Sequence, residues 1–420
     1  MAVITNKGSF NSALIAMLAL ITGFVSGWLV SEHQKNWNDI IFWAELTGKV
    51  WLTLLITVAI PLVGAYLFSI VSSMSGGRLA GKIGWHALVF HVLIMLLGMC
   101  FTLSVGYAIT NYITYGFTLL LHTDGPDLTT DGTGAVHQLI IWTDVVQTSL
   151  ARIILPALLA FAVTALIITR FYKLKRDRWL ERVHNLSERA TTAMNGLLLL
   201  LPVAALTLSF ALTARHGYTL AGIMGQYVLA LIGMLMAFTL VLYLIARSFG
   251  AVSFGVFARA LFPAQLVAAS TRSSLATMPA LLTSAEQGAG IPPSVSRLVI
   301  PFSVSVFRLN RAITSVFSYV FFTALYAIPT DGVSTLLFLG LILILSFGSP
   351  GLPSGGKLAT MPVFLALGVP LEMIVLTKAI DVIPDMFKTM LNVTEGMTIA
   401  SLVTRSNKLE LVVSSTTTRV

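Results

Sequence analysis

Two apolar segments in the last third of the chain are interrupted at their centres. The segment at 255–291 is interrupted by Ser270-Thr-Arg-Ser-Ser274, and the segment at 333–371 by Ser346-Phe-Gly-Ser-Pro-Gly-Leu-Pro-Ser-Gly-Gly356. Irregular backbone at membrane depth is tolerated only where it lines a cavity, so each segment predicts a re-entrant hairpin of two short helices. Each hairpin is followed by an apolar span, at about 295–328 and 374–404. The repeated pattern predicts inverted repeats with a binding site at their interface.

The composition indicates a membrane protein. Of the 420 residues, 56% are hydrophobic and 10% are charged, and the mean hydropathy is +0.88. A soluble domain carries about a quarter charged residues, and several uncharged runs exceed the roughly 18 residues that mark a membrane span. With the two later spans, the fold predicted is an all-α membrane protein of eight transmembrane helices and two hairpins. The first six spans lie at about 10–31, 44–73, 84–114, 137–171, 190–213 and 218–246.

The distribution of charge gives the orientation. The net charge of +9 collects in short loops, at 75–83 and above all at 172–189, whereas the loop at 121–136 is acidic. Loops rich in Lys and Arg stay cytoplasmic. One crossing per span from a cytoplasmic N-terminus places both basic loops on the same side. The sequence therefore predicts a multi-pass protein of the bacterial inner membrane with both termini cytoplasmic, and no nucleic-acid partner.

Four polar residues share one face of the last span. This span contains Ala379-Ile-Asp-Val-Ile-Pro-Asp-Met-Phe-Lys-Thr-Met-Leu-Asn-Val-Thr-Glu-Gly396, and the spacing of Asp381, Asp385, Lys388 and Asn392 is four, three and four. Such spacing aligns side chains on a helix. Unpaired ionisable groups inside a membrane cost at least ~2.5–3.5 kcal/mol each, so they mark a site by default. A purely structural ion pair between helices is the alternative.

The preceding span carries basic residues within Phe307-Arg-Leu-Asn-Arg311, one helical turn apart. A guanidinium is always charged and binds carboxylates through two parallel hydrogen bonds. If the hairpin tips and the two spans converge, the site between them contains more cationic than acidic side chains. Such a positive surplus would suit an anionic ligand. Each arginine could instead pair with an aspartate or a carbonyl. The cations are Arg272, Arg308, Arg311 and Lys388, and the acids are Asp381, Asp385 and Glu395.

Motifs of enzymes and metal sites are absent from the sequence. The seven histidines all lie at or before residue 216 and lack metal-ligand spacing. Gly-x-Ser-x-Gly, phosphate-loop and His-Glu-x-x-His motifs are also missing. The sequence therefore predicts a protein that is not an enzyme and has no metal site and no cofactor.

Three motifs resemble a known family. Thr271-Arg-Ser-Ser-Leu-Ala-Thr-Met-Pro279 resembles the first-hairpin motif of the dicarboxylate/amino acid:cation symporters, the glutamate transporter family. Leu352-Pro-Ser-Gly-Gly356 resembles the second hairpin tip, and 381–398 the last helix. The resemblance is specific over about 250–405 and looser before that. It implies a homotrimer in which a transport domain slides across the membrane as an elevator, with the hairpins as gates. The implied organisation is a six-helix half at 1–250, a transport core at 251–405 and a cytoplasmic tail at 406–420.

The resemblance also implies roles for individual residues. In the first hairpin the implied substrate contacts are Arg272, Ser273 and Ser274, and in the second they are Leu352 and Gly356. In the last helix Asp385 would hold the substrate ammonium and Lys388 its side-chain carboxylate. The main-chain groups of the substrate would be held by Thr389 and Asn392.

The chain departs from the family where sodium binds. The family's Asn-Met-Asp-Gly-Thr is here Phe307-Arg-Leu-Asn-Arg311, so Leu309 replaces a sodium-liganding carboxylate. The late aspartate of the last helix is here Gly396, with Glu395 beside it, and the substrate-binding arginine is Lys388. A fixed guanidinium could supply the charge that bound sodium supplies elsewhere. Coupling to sodium should therefore be lost. Proton coupling through Glu395, Asp381 or Asp385 and uncoupled exchange are the alternatives.

These observations together predict a sodium-independent, proton-coupled transporter of aspartate or glutamate. A four-carbon dicarboxylate is the alternative substrate if Asp385 pairs internally with Arg311 or Lys388. A channel or sensor that binds without transporting is a second alternative. The partners expected are the small anionic substrate, the lipid bilayer and two further copies of the chain.

Overall fold

The computed structural model describes residues 4–31, 34–74, 82–114, 176–217, 219–347 and 360–407, with isolated positions between 149 and 168. In these residues the secondary structure is helical, apart from one isolated bridge between Phe307 and Phe347. The predicted acidic loop at 121–136, most of the predicted span at 137–171 and the tail from 408 onward lie outside the described residues. Leu352 and Gly356 of the second hairpin tip also lie outside them.

Helices cover five of the six spans predicted in the first 250 residues. The fifth predicted span, 190–213, is interrupted at Leu200, because Pro202 in the next helix lacks the N–H that would continue the ladder. The basic connection expected at 172–189 is helical from Arg176 onward, since its Arg, Leu and Glu residues are good helix formers. The helices are α1 (Ile4–Ser31), α2 (Gln34–Met74), α3 (Lys82–Thr114), α4 (Arg176–Leu199), α5 (Leu201–His216) and α6 (Thr219–Phe249).

The last third of the chain consists of shorter helices. In chain order they are α7 (Phe254–Thr271), α8 (Ser274–Thr283), a π-helix (Ser284–Gly288), α9 (Pro293–Val306), α10 (Leu309–Leu325), α11 (Gly332–Ser346), α12 (Met361–Ala366), α13 (Leu371–Ala379) and α14 (Val382–Ser406). The last predicted span therefore comprises α13 and α14, which are separated by a turn at Ile380 and Asp381.

At the first predicted interruption the chain turns between two helices. Helices α7 and α8 pack against each other, and the chain turns at Arg272 and Ser273. Arg272 adopts a left-handed backbone conformation with φ of +52°, which is uncommon outside glycine. The Ser273 hydroxyl caps α8 by accepting a hydrogen bond of 3.3 Å from the N–H of Ala276.

The structure corrects the expectation of an uninterrupted span at 295–328. Helix α9 ends at Val306 and α10 begins at Leu309, so the chain is broken at Phe307 and Arg308. The reason is competition for backbone hydrogen bonds, because the N–H of Arg308 bonds to the carbonyl of Ser346, at 2.9 Å, outside its own helix. The break faces the end of α11, the first arm of the second hairpin.

The surface and the interior follow a membrane pattern. Three helical stretches of the described residues are long and apolar enough to cross a membrane, Lys82–Thr110, Gly222–Phe249 and Phe254–Thr271. Large apolar side chains such as Leu229 on α6 are exposed, as lipid-facing residues would be. In contrast, α14 is buried at every position from 391 to 404 and packs against α6, α7 and α9. The polar residues of α14 therefore face protein.

Helices α1 and α5 approach closely through glycine. A Cβ atom added to Gly23 would lie 2.5 Å from the carbonyl oxygen of Leu206, and one added to Gly27 would lie 2.5 Å from that of Phe210. The two glycines are four residues apart, a spacing that lets backbones of membrane helices come into contact. This pair fixes the distance between α1 and α5.

We predict that Gly27→Ala destabilises the protein by about 1–3 kcal/mol, because the added methyl group overpacks the α1–α5 contact. Gly225→Ala on α6 is the matched control, since a Cβ there would meet no atom within 4 Å. The melting temperature of the detergent-purified protein measures the difference. Equal melting of both variants and the parent would show that α1 and α5 do not pack this closely.

Candidate functional site

The N-terminus of α10 lies inside the protein and is capped by α14. The N–H of Asn310 donates to the side-chain oxygen of Asn392 at 3.0 Å, and the N–H of Leu309 donates to the carboxylate of Glu395. The first turn of a helix has no intrahelical partners for its N–H groups, and an unpaired buried N–H costs about 1–3 kcal/mol. These two residues therefore hold α10 against α14 at the break.

Glu395 is buried, with 1% of its surface exposed. One of its oxygens accepts the Leu309 N–H, while Oε1 has no hydrogen-bond partner among the described residues. The positive end of a helix dipole favours an anion at this place. Glu395 thus provides a buried carboxyl group with one unused acceptor at the start of α10.

The break is also bonded to the second hairpin. Phe307 forms a backbone bridge with Phe347, and the centroids of their rings are 5.0 Å apart. Next to this bridge the N–H of Arg308 donates to the carbonyl of Ser346. The end of α11 is therefore bonded to the break at two neighbouring residues, Ser346 and Phe347.

The two arginines of the break have different partners. The Arg311 guanidinium donates to the carbonyl of Leu345 at the end of α11. The Arg308 guanidinium is in electrostatic range of Glu395 and Asp385 on α14. Arg311 is therefore bonded to a carbonyl, one of the partners expected from the sequence, and Arg308 lies in electrostatic range of two carboxylates.

Lys388 and Asp381 form an ion pair along α14, two helical turns apart. The side chains are only 6% and 16% exposed, so the charges neutralise each other inside the protein. Thr389, the next residue on this face, donates its hydroxyl hydrogen to the carbonyl of Asp385 at 2.8 Å. The face predicted from residue spacing is thus a continuous polar strip, from Asp381 to Asn392.

The first hairpin is held on α14 by a polar relay. The side chain of Gln265 on α7 donates to the hydroxyl of Thr394 at 2.8 Å and accepts a hydrogen bond from the Tyr243 hydroxyl at 3.0 Å. The second arm, α8, also packs against α14. The tip residues Arg272, Ser273 and Ser274 lie at the turn between the two arms, and Ser274 is buried.

The two positions where the resemblance expects carboxylates are closely packed. Leu309 is fully buried, and its Cδ1 lies 3.2 Å from the place that a Cβ on Gly98 would occupy. A Cβ on Gly396 would lie 3.4 Å from the Cβ of Ser303 and 3.6 Å from the Cδ2 of Leu281. The third atom near a Cβ on Gly396 is the Ser303 hydroxyl oxygen, at 3.7 Å. Neither the leucine nor the glycine side chain provides an oxygen ligand for a cation.

The sequence did not single out His91, which the structure places beside the break. His91 is fully buried on α3, its Nε2 lies 2.9 Å from the Ser303 hydroxyl, and its ring stacks on Phe307 with centroids 4.0 Å apart. The available signal was an ionisable residue in the middle of an apolar span, which by default marks a site.

Comparison with known proteins identifies the family. The model of the sodium:dicarboxylate symporter family matches residues 13–406. The chain belongs to this family. It is therefore a membrane transporter and not an enzyme. This confirms the resemblance drawn from the two hairpin motifs and the last helix.

The relatives are distant. The proton/glutamate-aspartate symporter of Escherichia coli (strain K12) is 20% identical over 405 residues, which are 94% of this chain and 92% of the relative. Human excitatory amino acid transporter 2 is 27% identical over 151 residues, which are 36% of this chain. Mouse neutral amino acid transporter B(0) is 30% identical over 123 residues, which are 29% of this chain. The chain spans only 26% of the human relative's length and 22% of the mouse relative's.

We predict that Asn392→Ala lowers the free energy of unfolding of the substrate-free protein by ~0.5–2 kcal/mol, because α10 loses a capping side chain. Thr398→Val is the matched control on the same buried helix, since its hydroxyl bonds only within α14, to the carbonyl of Thr394. Thermal melting compares the two variants. If Thr398→Val destabilised the protein as much as Asn392→Ala, the cap would not hold α10 in place.

Proposed function

We propose that this protein is a secondary active transporter of an acidic amino acid, aspartate or glutamate, that is independent of sodium and coupled to protons. The proposal rests on one observation, namely that side chains provide fixed charges at the break between α9 and α10. Arg308 lies in electrostatic range of two carboxylates there, and Arg311 is bonded to the arm of the second hairpin.

Fixed charge explains the proposed independence from sodium. A transporter that binds sodium must gather several oxygen atoms around the ion and lose them again on release. Here Leu309 and Gly396 stand at two of the positions where the resemblance expects carboxylates, and neither side chain carries an oxygen atom. A guanidinium at the break supplies positive charge permanently, so the site has no need for a carried metal cation. Proton coupling is then the remaining route to uphill transport.

Substrate preference is proposed from the polar strip of α14. Asp385 is partly exposed there and would bind the substrate ammonium. Lys388 would release Asp381 and bind a substrate carboxylate in its place. The proton/glutamate-aspartate symporter of Escherichia coli matches 94% of this chain, which supports an acidic amino acid. One observation favours a four-carbon dicarboxylate instead, because Asp385 is within electrostatic range of Arg308 and could be neutralised internally.

The proposed assembly is a homotrimer in the bacterial inner membrane with both termini cytoplasmic. Within each subunit the core at 251–405 would move as an elevator against scaffold helices of the first 250 residues, and the two hairpins would be its gates. Substrate contacts proposed at the gates are Arg272, Ser273 and Ser274 in the first hairpin, and Leu352 and Gly356 in the second. On α14 the proposed contacts are Asp385, Lys388, Thr389 and Asn392.

We predict that purified protein in liposomes accumulates labelled aspartate when a proton gradient is imposed, and that a sodium gradient at equal pH drives none. The measurement compares aspartate, glutamate and succinate under each gradient separately. Asp385→Asn is the informative variant, since it should abolish uptake of both amino acids by removing the partner of their ammonium group.

Three results would contradict the proposal. Accumulation driven by sodium would refute the ion coupling, and binding without any flux would identify a sensor. Uptake of succinate in preference to both amino acids, unchanged in Asp385→Asn, would identify a dicarboxylate transporter.

A further inference from the structure

An apolar groove opens on the surface of the protein between α3, α6 and α14. Its volume is about 440 Å³, within the range of roughly 300–1,000 Å³ that ligand pockets occupy. The side chains of Ile94 and Leu402 in the groove are buried, whereas those of Leu93 and Phe249 are exposed. Among the described residues the lining is apolar except at the end of α14. The groove therefore suits a long apolar group that reaches it from the membrane.

One face of α3 follows the groove and becomes basic at one end. Phe90, Leu93 and Leu97 line the groove over about 10 Å, at 1.5 Å of rise per residue. His86 and Lys82 precede Phe90 on the same row, at steps of four residues. Steps of three and four residues keep side chains on one helical face. The apolar row on α3 thus leads to two basic side chains at the start of the helix.

The basic end of the groove is where α3 enters the membrane. Lys82 is the first residue of a stretch that is long and apolar enough to cross a bilayer. Trp85 is 58% exposed, and tryptophan is enriched at the interface between membrane and water. The Nδ1 of His86 lies 3.4 Å from the Ser406 hydroxyl, so the start of α3 meets the end of α14. These polar groups therefore lie at the depth of lipid headgroups, and the apolar groove extends inward from them.

Arg405 is the cation that lines the groove itself. Its Nη1 donates to the carbonyl oxygens of Ser248 and Gly250, 3.0 and 3.2 Å away, at the end of α6. These bonds hold the guanidinium in place between α6 and α14. A guanidinium has five N–H donors, and those on Nε and Nη2 have no partner among the described residues. Two such N–H groups side by side bind a phosphate through parallel hydrogen bonds.

An anionic phospholipid has the chemistry that this arrangement requires. The occupant must be apolar along the groove and negatively charged where it meets Arg405 and Lys82. A phospholipid has both parts, and a membrane transporter is surrounded by such molecules. A zwitterionic headgroup carries an amine beside its phosphate, which two nearby cations repel. Basic pockets between membrane helices accordingly bind anionic headgroups.

We propose that the groove between α3, α6 and α14 is a binding site for one anionic phospholipid. The phosphodiester binds the Nε–Nη2 edge of Arg405, Lys82 adds attraction, and an acyl chain lies between Leu97 and Leu402. The site lies at the opposite end of α14 from the polar strip, so it is independent of which substrate is transported. Because Arg405 joins the ends of α6 and α14, a lipid bound there stabilises the folded protein.

The test compares phosphatidylglycerol with phosphatidylcholine of the same acyl chains, each added to the full-length protein in detergent. Native mass spectrometry measures lipid binding, and thermal melting measures the stabilisation. Arg405→Gln is the informative variant, and Arg247→Gln is the matched control. Arg247 is exposed near the same end of α6. It is two residues from both Ile245 and Phe249, which places it on the side of the helix opposite the groove.

We predict that the parent binds one phosphatidylglycerol in preference to phosphatidylcholine and melts at a higher temperature with phosphatidylglycerol. Arg405→Gln should weaken the binding of phosphatidylglycerol by about fivefold or more and remove the preference, since one basic residue is lost at the headgroup. Arg247→Gln should behave as the parent. Equal binding of the two lipids by the parent would overturn the proposal, as would a preference that persists in Arg405→Gln.

Leu97→Trp keeps the proposal testable if Arg405→Gln does not fold, because it leaves the bonds of Arg405 to α6 intact. Leu97 is 46% exposed, so a larger ring can enter the groove without displacing the core. We predict that this variant binds phosphatidylglycerol more weakly than the parent. Unchanged binding would contradict an acyl chain in the groove.

Glycerol phosphate, which has the anionic group without acyl chains, separates a lipid site from a site for free phosphate. We predict that it does not displace phosphatidylglycerol from the parent. Displacement at concentrations similar to those of the lipid would show that the groove does not contribute to binding, and would overturn the proposal.

Discussion

The arrangement of the site depends on a helix that begins in the interior of the protein. Helix α10 starts at the buried Leu309, and its first N–H groups have no partners within the helix. Glu395 and Asn392 supply two of them, and both lie on the most deeply buried part of α14. The need to satisfy these N–H groups therefore joins the two central helices at one point. The positive charge of Arg308 lies close to the same point, in electrostatic range of Glu395.

The break is also bonded to α11. The N–H of Arg308 bonds to Ser346 and Phe307 pairs with Phe347, so the end of α11 is bonded to the start of α10. A change of charge at the break would act on the end of α11 through these backbone contacts. A substrate anion and a proton would both act on this element, which gives a physical basis for coupling them. Fixed cations would take part in this balance without being carried.

The sequence predicts which residues share a helical face better than it predicts the helix boundaries. The spacing of Asp381, Lys388 and Asn392 was enough to place them on one helical face, because helical geometry is local. The break at Phe307 could not be predicted from spacing, since it depends on hydrogen bonds to a segment forty residues later in the chain. The position of His91 beside the break could not be predicted for the same reason, because its partners Ser303 and Phe307 lie far away in the sequence. The order of residues along the chain reveals local periodicity, whereas these contacts between distant segments form only in the folded protein.

Measuring how the affinity for aspartate depends on the cation present tests the central claim most directly. The claim is that side-chain charge at the break does what a bound sodium ion does elsewhere in the family. The purified protein is titrated with aspartate in sodium and in choline at constant ionic strength and pH. The comparison isolates the contribution of sodium to the affinity for aspartate. The account predicts the same dissociation constant in both salts. Weakening by more than about tenfold in choline, ~1.4 kcal/mol, would contradict it.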